Sequence, residues 1–446
     1  MRLVIGQFPW DPFPPETPEP KGPDPIHRTA YQSAVTAADA YRSVRFALRR
    51  EEGVLRIGNR FVADSRYRQV AFVALGNASG SMALAALHVF GDRLTQGFLA
   101  GPEPAPDELP FRDLLVPPGL PGFSGATEVV RAATEIAESL GPLDLLLLFV
   151  SPGALRAVCR PPDGLTEEEF ARLLGTAASA GATGREVGLL ARTLGDGGVG
   201  GRIAAAARQV DLATFVVDRG DGPGLVGGGP VDPTSPDERA GARAVLERCG
   251  LTASLPPPVL DRLVPGADGP SVPARVARPV VVAAPSDGLR AAADAVFDRG
   301  WTSRLGFLEI RDPPEAAADT FMARAEELIA AEQLTPESST KGVAVFAMTT
   351  LGLLEGVDEG PALAAFLNRA ASLLRRREMS VGLYRTDGAI GSPAFPPAAV
   401  YGPSTDPKAK VRPNRARALP MRGGITDVGM LAVALCGRPT APGTKA

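Results

Sequence analysis

The chain has 446 residues, with 47 lysines and arginines against 50 aspartates and glutamates, a formal net charge of −3 and a sequence pI near 5.7. That length accommodates two or three domains, each with a core of its own, and the near-neutral balance excludes the strongly basic footprint of a nucleic-acid binder. Three dispersed cysteines, Cys159, Cys249 and Cys436, match neither zinc-ligand spacing nor a disulfide framework and read as buried thiols of a reducing cytoplasm. Histidine is confined to His27 and His88, which leaves little for a His-based triad or metal site. The first residues lack the apolar core of a signal peptide, and no run approaches the roughly 20 apolar residues of a membrane helix. A soluble, cytoplasmic protein with neither nucleic acid nor membrane as partner is expected.

Prolines recur from Pro9 to Pro25 and favour an extended backbone, so residues 1–28 read as an arm that includes His27. From Tyr31 to Arg50 the apolar positions recur at the three- and four-residue steps of an amphipathic helix. Apolar runs then alternate with helical patterns: QVAFVAL, a helix over 78–90, QGFLAG, a helix over 125–140, and DLLLLFV. Continuous apolar runs separated by helices indicate strands buried on both faces of a parallel sheet. Helices near 166–180, 185–194 and 202–209 follow, then a strand ATFVVDR, a loop DGPGLVGGGPVDP and a helix over 237–249. Proline and glycine cluster between Leu255 and Ala277, as at a domain crossing. Beyond it RPVVVAA, a helix over 287–299, RLGFLEI, a helix over 314–332, GVAVFAMTT, a helix over 361–377 and MSVGLYRTD repeat the alternation. Residues 391–420 lack periodicity, and 425–436 reads as a final buried helix. The expected fold class is α/β: two α/β/α layered domains with mainly parallel sheets and a cleft between them, divided as 1–28, 29–270 and 271–446.

Glycines at strand-to-helix turns let backbone amides approach an anion, and the helix N-terminus adds a favourable partial charge. Enzymes acting on nucleotide phosphates also place a lysine or arginine there to stabilise the transferring group. VALGNASGSM, residues 73–82, has the turn residues Gly76, Ser79 and Gly80, but the side chain at the anion position is the neutral Asn77. Its simpler reading is a tight turn into a helix. After DLLLLFV, Ser151 and Gly153 offer a hydroxyl and an amide, whereas Pro152 has no N–H and Leu155 fills space a phosphate needs. GDGGVGGRIA, residues 195–204, presents Gly200, Gly201 and one cation, Arg202, either as an anion site or as a loop with an exposed arginine. Asp218 and Asp221, beside the loop at 220–230, suit a magnesium ion or a solvated turn.

Taken in order with LRREEGVLRIGNRFV, GDRLTQGFLAG, LLLFVSPGALRAVCRPPDGLTEEE, GGGPVDPTSPDERAGARAVLERCGL, YRTDGAIGSP and ITDVGMLAVAL, these loops resemble the glycerate 2-kinase family from about Tyr31 to Cys436. The resemblance implies a DUF4147-type N-terminal region and a MOFRL-like part from about residue 340, with an active site between two α/β domains. It implies ATP and magnesium as cofactors and a small hydroxy acid, D-glycerate, phosphorylated on its 2-hydroxyl. It assigns to the nucleotide and substrate cleft Gly76, Asn77, Ser79, Ser151, Gly153, Gly200, Gly201, Arg202 and Asp387, with Asp218 and Asp221 as metal candidates. The departures from the family are concentrated in this set. The family's first lysine is Asn77 here, its triple-glycine loop with a following serine is Pro152 to Leu155, and its lysine before paired glycines is Val199. The segment that supplies asparagine, arginine, lysine and histidine reads GLLARTL, with Arg192 alone basic. Acidic Asp358 and Glu359 stand where arginines are expected, and Thr386, Asp387 and Gly388 are followed by Ile390 and Ala394 in place of acids.

Losing one transition-state donor costs roughly 2.7–4 kcal/mol, so losing most of the cations together removes the chemistry. The expectation is a kept fold with an erased site: a catalytically impaired member that acts as a structural or regulatory partner, to an active paralogue or to a second copy of the chain. An enzyme of altered chemistry, and an active kinase of glycerate or a related hydroxy acid using an unusual constellation, are the alternatives.

Overall fold

The computed structural model describes residues 24–117, 119–121, 124–264, 277–353, 360–374, 379–386, 398–401 and 429–437. Most of the arm expected over 1–28, together with Asp358, Glu359, Asp387, Gly388, Ile390 and Ala394, lies outside the described residues. Among the described residues no helix is long and apolar enough to cross a membrane.

A three-stranded antiparallel meander, β1 Leu48–Glu51, β2 Val54–Ile57 and β3 Arg60–Ala63, precedes the first large sheet. That sheet comprises β4 Val70–Leu75, β5 Leu94–Gly101, β6 Arg112–Leu115, β7 Leu145–Val150, β10 Asp211–Val217 and β11 Val280–Ala283, while β8 Cys159–Arg160 and β9 Asp196–Gly197 form a short separate ladder. Its order is β11-β10-β7-β4-β5-β6, every pair parallel. The apolar runs form strands because both faces are covered. Val70, Phe72 and Ala74 point into one core and Ala71, Val73 and Leu75 into the other, the period-2 alternation of a pleated strand. Helices Glu167–Ser179, Gly184–Leu194 and Pro236–Arg248 start on capping boxes, Thr166 with Glu169, Thr183 with Glu186 and Ser235 with Glu238, which satisfy amides the first helical turn leaves open.

The second sheet comprises β12 Thr302–Ile310, β13 Gly342–Thr349, β14 Met379–Arg385, β15 Ala398–Tyr401 and β16 Met430–Gly437, in the order β12-β13-β16-β14-β15. It departs from the expected parallel pattern, since only β12 and β13 run parallel and the other three pairs are antiparallel. The reason is the last strand. The segment read as a final helix is β16, inserted between β13 and β14, with Leu431, Val433 and Leu435 in one core and Met430, Ala432, Ala434 and Cys436 in the other. An eight-residue run that is apolar at every position has the same pattern as a buried helix, and pairing partners on both sides decide the outcome.

Three further differences concern the amino-terminal third. His27 is not in an extended arm: it lies in helix Asp24–Ala37 and is buried. The amphipathic pattern from Tyr31 to Arg50 is interrupted at Asp39, whose carboxylate accepts from the Arg42 amide and starts a second helix, Ala40–Ala47, before the chain turns into β1. Helix Asp24–Ala37 packs against helix Pro285–Phe297 and touches β16, so the first helix covers the second sheet. Conversely β11, beyond the expected boundary at 270, pairs with β10 in the first sheet. One apolar cluster joins the inner faces of the two sheets, containing Phe149 and Phe215 of the first and Phe346 and Val433 of the second.

Candidate functional site

In the first sheet the chain leaves β4 toward β5 and β6 on one side, then returns to β7, β10 and β11 on the other. The carboxyl ends of β4 and β7 therefore form the topological switch point, where open α/β sheets place their ligands. The turns carrying Gly76, Asn77 and Ser79 and carrying Ser151 and Gly153 stand side by side there.

Their hydrogen bonds run into each other. The Asn77 amide donates to the Pro152 carbonyl at 2.8 Å and the Gly76 amide to the Ala100 carbonyl at 2.8 Å. The Ala78 amide donates to Ser151 Oγ at 2.9 Å, and that hydroxyl donates in turn to the Leu75 carbonyl at 3.0 Å. The Ser79 amide donates back to the Gly76 carbonyl at 3.1 Å. Gly76 has φ +100°, and a Cβ there would stand 2.2 Å from the Ser151 carbonyl oxygen. Gly153 has φ +90°, and a Cβ on it would meet Asn77 Oδ1 at 2.6 Å. These glycines are required by contact between two turns, and the amides of Asn77, Ala78 and Ser79 leading into helix Ser79–Phe90 are committed to protein acceptors.

The glycine loop after β10 meets the remaining turn in the same way. Gly227, Gly228 and Gly229 all have positive φ, and the carbonyls of Gly228 and Gly229 accept from the amides of Gly200 and Gly201 at 2.9 and 2.8 Å. A Cβ on Gly228 would stand 2.6 Å from Val199 Cγ1 and 2.8 Å from Leu155 Cδ1. Both side chains are buried. The two apolar residues at family polar positions thus converge on one glycine and fill the space over it.

The cations are held as firmly. Arg192 is buried and gives its guanidinium to the carbonyls of Gly224, Asp232 (3.0 Å) and Pro233 (3.2 Å), with Glu238 at 3.2 Å as its carboxylate. Arg202 pairs with Asp196 at 3.2 Å and donates to the Val199 carbonyl at 3.0 Å; burial lowers its pKa. Asp196 also pairs with Arg262 at 2.9 Å.

Asp218 and Asp221 lie on the turn after β10. Asp218 Oδ1 accepts from the amides of Gly220 at 2.9 Å and Gly222 at 3.1 Å, and desolvation raises its pKa. Asp221 pairs with Arg311 at 2.7 Å. Arg311 also binds Glu309 at 2.8 Å and the Gly220 carbonyl, so the end of β12 is tied to the turn after β10. Burial raises the Glu309 pKa as well. Among the described residues no group of three or more His, Cys, Asp or Glu is placed to hold a metal ion. The sequence reading passed over Glu309 and Arg311, although their i, i+2 spacing at a strand end puts both on one face. Nearby the Gly184 amide donates to the Gly352 carbonyl at 2.7 Å. Among the described residues the cavity bordered by Leu155, Asp221 and Leu353 holds about 30 Å³. Ligand pockets are typically 300–1,000 Å³.

Of the other candidates, Asp387 lies outside the described residues; its neighbour Thr386 is buried and donates to the Gly429 carbonyl at 2.6 Å. His88 bonds through Nδ1 to the Tyr41 hydroxyl at 2.7 Å, within its helix packing. All three cysteines are free, and burial pushes the Cys159 thiol well above the usual range.

A family described as "domain of unknown function (DUF4147)" matches residues 26–264, more than half of the chain. The chain belongs to the DUF4147 family. Every candidate residue up to Asp221 lies in the part matched. Among curated proteins the chain is 30% identical over 206 residues to a protein named hydroxypyruvate reductase from Agrobacterium vitis, covering 45% of this chain and 42% of that one. It is 27% identical over 245 residues to a glycerate kinase of Homo sapiens, covering 51% of this chain and 46% of that one. The match thus spans just under half the length of these relatives. Among solved structures, a glycerate kinase of Thermotoga maritima aligns over 94% of this chain and 100% of its own, with TM-score 0.67 at 18% identity. A protein of Pyrococcus horikoshii OT3 aligns over 95% and 100%, with TM-score 0.66 at 18% identity. Both share the fold, including the second sheet beyond the DUF4147 match.

Proposed function

We propose that this chain is a glycerate kinase-like protein that has lost phosphoryl transfer and acts as a structural or regulatory partner, to an active relative or to a second copy of itself, with its second unit of the MOFRL kind. The observation that carries this reading is the mutual closure of the turns at the switch point. The amides of Asn77 and Ala78 are bonded to the Pro152 carbonyl and Ser151 Oγ, and a phosphate needs such amides open. The family reaction, taken from the names of the relatives, transfers a phosphoryl group from ATP to glycerate. ATP with magnesium does not fit these turns: Asn77 brings no charge, Leu155 and Val199 cover Gly228, and Arg192 and Arg202 are paired elsewhere. The free thiols support a reducing, cytoplasmic location.

The test is a kinase assay of the full chain with ATP, magnesium and D-glycerate. No turnover above the enzyme-free blank is expected. Turnover comparable to an ordinary enzyme, about 10 s⁻¹, overturns the proposal. A second reading, an enzyme of altered chemistry, has the raised carboxyls of Asp218 and Glu309 in its favour, since perturbed acids cluster at functional sites. It requires nucleotide or hydroxy-acid binding, which at a hundredfold excess over Kd stabilises by roughly 2.7 kcal/mol and raises the melting temperature.

A further inference from the structure

A second cavity lies away from the switch point. An open groove of about 1350 Å³ runs between the meander, helix Ala40–Ala47, strand β11 and helix Pro285–Phe297. Helix Ser79–Phe90 starts at the carboxyl-end turns and runs back beneath the sheet, so His88 and Val89 on the groove wall mark the opposite end of the sheet from the turns. Eight of the residues lining the groove are arginines and three are carboxylates, in a chain whose overall charge is −3.

Four of these arginines, Arg49, Arg60, Arg278 and Arg290, are exposed, and none has a carboxylate partner among the described residues. Phe46, 59% exposed, has Arg49 and Arg56 stacked over its ring at 4.8 and 5.0 Å. Stacking holds the planar guanidinium forks in place while leaving their N–H groups to meet carboxylates in pairs. Along the floor, β11 hydrogen-bonds only to β10 among the described residues, and Val281 is 42% exposed. This is an open sheet edge, the feature to which an extended peptide adds as a further strand.

We propose that this groove binds an acidic, extended polypeptide segment of a partner protein, whose main chain pairs with the edge of β11 and whose carboxylates meet the free arginines. The volume exceeds the 300–1,000 Å³ of small-molecule pockets. A polynucleotide has arginines and an aromatic ring to use, but no peptide main chain to pair with a sheet edge. The proposal does not depend on the loss of kinase activity, because the groove and the turns share no residue.

The test titrates the full chain with a fluorescent peptide of alternating glutamate and valine, and with single-stranded DNA of equal charge, by anisotropy at low and physiological salt. Peptide binding that weakens with salt, and that exceeds DNA binding at least tenfold, is expected. The variant Arg60→Glu/Arg278→Glu/Arg290→Glu weakens the peptide at least tenfold, whereas Arg172→Glu/Arg208→Glu/Arg243→Glu, on exposed arginines elsewhere, stays within twofold. Bound peptide slows hydrogen exchange in Val280–Ala283. The proposal is overturned by absence of binding at low salt, by equal loss in both variants, by DNA binding as tight as peptide, or by unchanged exchange in β11 at saturation.

Discussion

Val199 shows in one side chain why the proposed loss of chemistry is not a matter of a missing charge alone. It is fully buried, and its methyl group stands beside Gly228. Val199→Lys, which rebuilds the family residue, therefore places an ammonium in an apolar contact rather than at a phosphate, and burying an unpaired charge costs on the order of 3–5 kcal/mol. Urea unfolding of this variant is expected to show a loss of that order, and the double variant Asn77→Lys/Val199→Lys to remain without kinase turnover. A loss under about 1 kcal/mol indicates instead that the site opens to solvent. Gly76 sets a second, independent constraint. With φ +100° and the Ser151 carbonyl 2.2 Å from an added Cβ, Gly76→Ala combines backbone strain with a clash against main chain. A cost of roughly 2–4 kcal/mol follows, read as a lower urea midpoint with unchanged slope.

Helix Asp24–Ala37 owes its position to contacts far along the chain. His27 Nε2 bonds to Ser380 Oγ at 2.9 Å on β14, and Tyr31 stacks on Tyr384 with ring centroids 5.2 Å apart. Burial brings the His27 pKa down to about 3 from an ordinary 6.5. The unfolded chain then takes up a proton that the native helix refuses, so stability is intact above pH 6.5 and falls progressively as the pH drops from there toward 3. Melting temperatures between pH 7 and pH 5 are expected to fall less in His27→Leu than in the parent; equal slopes contradict this assignment. The sequence disclosed four strands of the first sheet, because runs such as 145–150 are apolar on both faces and bounded by turn residues, but neither β6 nor the place of β11 in that sheet. It concealed β16, whose alternation between two cores carries no polar face to distinguish strand from helix. The candidate site divides similarly. Glycines at strand ends could be read directly, but the closure of that turn could not, since it depends on the Asn77 amide meeting a carbonyl 75 residues away.

The two large sheets share one apolar core between them. Phe149, Phe215, Phe346 and Val433 belong to one apolar cluster, and Arg311 and Gly352 tie the units again at the carboxyl-end turns. Calorimetry is expected to show one unfolding transition whose calorimetric and van't Hoff enthalpies agree; two resolved transitions contradict a shared core. The strand order has a further consequence, for synthesis. The first of the described helices covers a sheet whose central strand is the last of the described strands. His27 and Ser380 are 353 residues apart, about 20–70 s of elongation at 5–20 residues per second. Through that interval the first helix lacks its Ser380 and Tyr384 contacts, and until Pro285–Phe297 is made it also lacks the helix it packs against.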